Sequence, residues 1–171
     1  MKYLVLLLAP FLLAACATLS EDECRAGNWY DIGREDGADG RRSDFIIQHA
    51  KACNKIGIAP VRAEWEQGRQ EGLLIYCRPR RAYEEGTRGR RLSPVCPVED
   101  LAELERANKR GLIWYRIGQD ISQAKSDIRQ INAQLASLAA DDPSRASLIG
   151  ERASLRLEII TLRAERNLYR Y

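Results

Sequence analysis

Cysteine is the reactive residue type whose spacing carries the most information in this chain. There are five, Cys16, Cys24, Cys53, Cys77 and Cys96. The last four form an even set confined to the stretch that ends at Pro97. In an exported chain such a set is expected to close two disulfides. Four cysteines allow three connectivities, and the sequence does not choose among them. Pairing chain neighbours, Cys24 with Cys53 and Cys77 with Cys96, is preferred; each loop then holds ~20 to 30 residues, for which chain entropy suggests ~3 kcal/mol per bridge. A metal site is disfavoured, because Cys-x-x-Cys is absent and His49 is the single histidine. That lone histidine cannot build a multi-histidine site. A structural or solvated role is expected for it, with a lone base beside an acid as the functional alternative. The acids Asp31, Glu35, Asp36, Asp39 and Asp44 are closely spaced but miss the order of a calcium loop, so a solvated face with local ion pairs is expected. Glu35, Asp36 and Glu71 are the carboxylates that could act as acids. No Gly-x-Ser-x-Gly elbow or redox cysteine pair accompanies them, so an enzyme is the reading with least support, and no cofactor is expected.

Cys16 has a different setting. Lys2 precedes the apolar run Tyr3 to Leu8 and, past Pro10, Phe11 to Leu13, followed by Ala14, Ala15 and Cys16. This is the layout of a secretory signal peptide over residues 1–15. Leu13-Ala14-Ala15-Cys16 also resembles the bacterial lipobox, whose cysteine takes a diacylglyceryl thioether. The apolar stretch falls short of the ~20 residues of a membrane-spanning helix. Acyl chains, palmitate among them, would hold the mature chain on a membrane at ~0.8 kcal/mol per buried methylene. Ala17, in place of the aspartate that marks inner-membrane retention, favours the periplasmic face of the outer membrane. Residues 16–23 read as a polar tether.

The elements that must position these residues fall into two parts. The composition, 45% hydrophobic and 30% charged, is that of a globular chain, and a net charge of +3 argues against a dedicated polyanion binder. The cysteines lie in a helical head, residues 24–97, and a cysteine-free helical part follows over 98–171. The head contains an internal echo: Tyr30-Asp31-Ile32-Gly33-Arg34-Glu35-Asp36-Gly37 aligns with Trp65-Glu66-Gln67-Gly68-Arg69-Gln70-Glu71-Gly72. A third, frayed copy runs from Tyr83 to Gly89. Glycines four apart share one helix face and let another backbone approach, which offsets their cost of roughly 1 kcal/mol each in a helix. Between the copies, Ser43 is expected to cap a helix that Gly57 stops, with Pro60 starting the next.

These features in their order, together with the His49 to Cys53 spacing, Gly72-Leu73-Leu74-Ile75-Tyr76-Cys77 and Val95-Cys96-Pro97, resemble the small proteobacterial lipoproteins of domain of unknown function 2799. The resemblance covers about residues 20 to 118, including a last echo at Tyr115 to Gly118. It implies no assigned activity.

Beyond the head, Ile121, Ala124, Ile128, Ile131, Leu135 and Leu138 alternate by threes and fours, a coiled-coil seam. The pattern breaks at Asp141-Asp142-Pro143-Ser144, where Asp142 can cap a second helix and Pro143 suits its first turn. Leu148, Leu155, Ile159, Leu162 and Tyr169 lie on one side of that helix. The expected fold is therefore mainly α: a small disulfide-stapled helical head followed by a long antiparallel helical hairpin.

The function expected is a lipid-anchored envelope lipoprotein with a structural or protein-interaction role. Its partners would be the membrane, through the lipid, and a protein or second copy through the hairpin. The alternative is contact with peptidoglycan or anionic lipid through Arg78, Arg80, Arg81, Arg88, Arg90 and Arg91. No nucleic acid is expected as a partner.

Overall fold

The computed structural model describes residues 18–171. The expected signal peptide, the lipidation site Cys16 and Ala17 lie outside the described residues. Seven α-helices make up the described chain: α1 (Glu21–Ala26), α2 (Trp29–Ala38), α3 (Ile46–Cys53), α4 (Arg62–Tyr76), α5 (Pro79–Thr87), α6 (Val98–Ser137) and α7 (Ser144–Leu168). The mainly helical architecture with a long terminal hairpin is the expected one.

Local chemistry sets several of the helix starts. Ser20 accepts from the Glu23 amide while the Glu23 carboxylate accepts from the Ser20 amide, a reciprocal cap for α1. Asn28 accepts from the Asp31 amide at the start of α2, and Pro79 occupies the first turn of α5. At α7 the Asp142 carboxylate accepts from the Ser144 amide at 2.9 Å, as its position before Pro143 suggests. Ser43 does not cap. The chain there closes as a turn in which the Phe45 amide donates to the Arg42 carbonyl, which takes the amide Ser43 would need, and α3 begins only at Ile46. Likewise α4 starts at Arg62, two residues past Pro60, and Gly57 ends a short 3₁₀ turn rather than α3 itself.

The head consists of two units of the same design. In the first, α2 and α4 run parallel and cross at their glycines. A Cβ on Gly33 would strike the Trp65 carbonyl, one on Gly37 the Arg69 carbonyl, one on Gly68 the Tyr30 carbonyl and one on Gly72 the Arg34 carbonyl. The two copies of the sequence echo are therefore each other's packing partners. In the second unit α5 and the start of α6 repeat the contact, Gly86 against the Asn108 backbone and Gly111 against that of Tyr83.

Each unit is closed by one disulfide, Cys24–Cys53 and Cys77–Cys96. The spacing from each cysteine to its crossing glycine is the same in both: nine residues from Cys24 to Gly33 and from Cys77 to Gly86, fifteen from Cys53 to Gly68 and from Cys96 to Gly111. At the far end each unit has a left-handed glycine, Gly40 (φ 70°) or Gly89 (φ 75°), lying against the ring of Tyr76 or Tyr115. The second unit lacks the turn that carries Gly37 and Gly72. Removing four residues from both helices of a parallel pair leaves their register intact.

The core of the first unit gathers Leu19, the Cys24–Cys53 bridge, Trp29, Ile46 and Trp65. The stretch expected to be a free tether is thus part of the fold as far back as Thr18: Leu19 is buried in the core and Ser20 caps α1. The first turns of α6 belong to the packing of the head, so head and hairpin share one continuous helix of 40 residues rather than meeting at residue 98. Its second half pairs with α7 through Ile117, Ile121, Ala124 and Ile159, flanked by Ile128, Leu155 and Leu162. Each hairpin helix is capped by an arginine of the other: Arg145 donates to the Leu135 and Leu138 carbonyls, and Arg110 to those of Leu168 and Arg170.

Candidate functional site

Two polar clusters are buried in the head. The first lies at the chain's entry into the fold. α3 presents His49, 2% exposed, to Asp36 on α2, and α4 brings Trp65 to the same acid. His49 Nε2 lies 2.7 Å from Asp36 Oδ2, and Trp65 Nε1 donates to that oxygen at 2.8 Å. A carboxylate that accepts from both rings places a proton on His49 Nε2. Its Nδ1 is hydrogen-bonded with the Thr18 hydroxyl at 3.0 Å. The connectivity hydroxyl, imidazole, carboxylate is that of a hydrolytic triad. Its setting is different, because both ring nitrogens are satisfied, Phe45 packs edge-on against the ring at 5.1 Å, and Leu19 closes the core beside it. What the arrangement does is fix Thr18 onto the head.

Of the other acids in the cluster, Asp31 meets Arg34, Asp39 meets Arg81 and Asp44 meets Arg42. These are the local ion pairs the sequence suggests. Among the described residues no group of histidine, cysteine and acid side chains is arranged to hold a metal ion.

The second cluster uses the basic stretch. Glu85 on α5 is 5% exposed and its carboxylate gathers Arg90 at 2.7 Å, Arg88 at 3.0 Å and Arg81 at 3.6 Å. Arg80 pairs with Glu84, and Arg78 donates to the Leu74 carbonyl. Arg91 makes no ion pair among the described residues. With Arg41, Arg90, Asp39, Glu85 and Tyr76 it lines a polar hollow of about 250 Å³ between the two units. The six arginines are therefore not one free basic surface: three are paired with Glu85. Tyr76 spans the same place. Its hydroxyl accepts from the Ser93 amide at 2.9 Å, and burial pushes its ionisation upward.

A third charged group is Arg69, 5% exposed on α4. It grips Glu66 with two nitrogens, at 2.7 and 2.9 Å, and donates to the Arg41 carbonyl at 3.0 Å. The guanidinium holds the Glu66 carboxyl below its ordinary value. By its spacing from Cys96 and Gly111, Asn108 takes the place in the second unit that Trp65 holds in the first. Its amide donates to the Ala82 and Arg90 carbonyls and its oxygen accepts from the Leu92 amide. Sequence reasoning passed over Asn108, because the echo there has lost its aromatic residue. The equal cysteine-to-glycine spacing is the signal that finds it.

Two cystine-closed pairs of parallel helices, crossed at glycine, define the class of this head. Within that class, residues 28–112 match the family model described as Protein of unknown function (DUF2799), and over that stretch the chain resembles this family. The match runs from the Asn28 cap of α2 to the residue after Gly111, so it contains both glycine crossings and neither the end of α6 nor α7. No curated protein and no solved structure matches the chain.

Proposed function

We propose that this chain is a lipid-anchored protein of the bacterial envelope with a structural or protein-binding role, not an enzyme. The observation that carries the reading is the fixed entry of the chain. Thr18 and Leu19 are bound into the head two and three residues after Cys16, the residue that the leader offers for acylation. A head built this way would sit directly on the lipid headgroups in one orientation. The single histidine supports a non-catalytic role, since it is enclosed and both its nitrogens serve that anchorage. No described helix is long and apolar enough to cross a membrane.

Metabolic labelling of cells with a palmitate analogue tests the anchor. The full-length chain should carry the label and fractionate with outer membrane. Cys16→Ala should lose the label and leave the membrane fraction. An unlabelled wild-type chain found in the soluble fraction would overturn the reading.

A further inference from the structure

The hairpin has a second apolar face that α6 does not cover. On α7, Ile149, Ala153 and Leu157 recur as Ile160, Ala164 and Leu168, each eleven residues on. The arginine before each alanine recurs as well, Arg152 and Arg163, so the segment is a tandem copy of Ile-x-x-Arg-Ala-x-x-x-Leu. Eleven residues make close to three helical turns, so the repeat keeps one straight line along the helix. This line faces away from the buried seam at Leu155, Ile159 and Leu162. Ile149 is 45% exposed, Leu157 67%, Ile160 62% and Leu168 74%. Four large apolar side chains aligned in solvent are more than the scattered exposure normal for a soluble surface.

We infer that this face pairs with the same face of a second copy, with the two α7 helices parallel. This deepens the protein-binding role proposed above and rests on it. The charges beside the stripe choose the occupant and its direction. Arg156 and Arg163 lie along one edge, Glu158 and Glu165 lie towards the other, and none of the four has an ion-pair partner within the described chain. In a parallel pair related by a twofold axis, the arginine edge of each helix faces the glutamate edge of the other; in an antiparallel pair like faces like. Parallel alignment also sets Ala153 against Ala153 and Ala164 against Ala164, and the small residues let the backbones come close between the larger side chains. A helix pair of this length buries on the order of 1,000 Å², at the low end for a specific interface. Confinement to a membrane surface would raise the effective concentration of such a pair.

Cysteine cross-linking of the full-length chain in intact cells tests the proposal. Ile149→Cys and Leu168→Cys, each alone, should give a covalent dimer of twice the monomer mass on mild oxidation, and Gln123→Cys on the exposed side of α6 should not. Leu157→Glu added to either should reduce the dimer at least tenfold while both native disulfides still form. An antiparallel pair would leave the two single variants uncross-linked and join Ile149→Cys to Leu168→Cys instead when the two are expressed together, which overturns the stated geometry. Cross-links to a different protein, or stripe residues that enter lipid by a membrane-quenching probe, overturn the self-pairing. If the stripe is silent but the chain still carries palmitate, pairing fails and anchoring stands; if palmitate is also absent, both fail.

Discussion

At the residue scale the glycines are the most tightly constrained positions. Gly33, Gly68 and Gly111 each have a neighbouring backbone where a methyl group would go, so an alanine there must push two helices apart. Gly68→Ala should cost about 2 to 4 kcal/mol, as overpacking against main chain does, and lower the melting temperature well outside error. Gly150 on α7 has open space around it, and Gly150→Ala should raise stability by about 0.5 to 1 kcal/mol through helix propensity alone. Asp36 is the second such residue. Asp36→Ala removes the acceptor shared by His49 and Trp65 and leaves both ring N–H groups unpaired in the core, so a loss of about 1 to 3 kcal/mol is expected, with a changed near-ultraviolet signal from Trp65. The glycine spacing and its purpose could be read from the sequence, because four-residue periodicity belongs to a helix face. The Asp36, His49 and Trp65 contact could not, because it joins three elements through their fold and depends on the chain before α1 lying across them.

At the scale of elements, the two disulfides should differ in behaviour. Cys24 and Cys53 lie inside the core, whereas Cys77 and Cys96 are half-buried at the surface of the second unit. Under native conditions a mild reductant should open Cys77–Cys96 first, detected as alkylation of Cys77 and Cys96 alone by mass spectrometry; simultaneous opening would contradict this difference in access. The ends of the elements also set the pH response. Glu23 is held below its ordinary 4.5 by the Ser20 amide and hydroxyl, and Glu66 by Arg69. A carboxyl with a lowered native pKa adds stability at neutral pH and loses it as the pH falls through that value, so unfolding should become easier from about pH 4.5 downward. Tyr76 works in the opposite direction. Its raised ionisation contributes stability below its ordinary 10.0 that is lost as the pH rises beyond it, and Tyr76→Phe should flatten the alkaline limb of the stability curve. The coiled-coil seam of α6 could be read directly, as its heptad spacing is regular. The outer stripe of α7 was hidden, because its period is eleven rather than seven and alanine fills two of its six places.

The whole molecule joins these parts through α6. Its first turns close the second unit of the head against α5, and its remaining turns form the hairpin with α7. The cysteine content marks a division near residue 98 that the helix itself does not observe. This sharing could not be read from composition, since the contact at Gly111 depends on α5 meeting α6 in register. It also makes α6 a length gauge. From Gly111 to Ser137 the helix runs without a break, so the tip of the hairpin stands about 40 Å from the glycine crossing, at ~1.5 Å per residue. Seven residues inserted in both α6 and α7 would lengthen that distance by about 10 Å and return the outer stripe to nearly the same azimuth, whereas four would leave the stripe turned by about 40°. Any assembly built on that stripe would therefore tolerate a change in its reach more readily than a change in its heading.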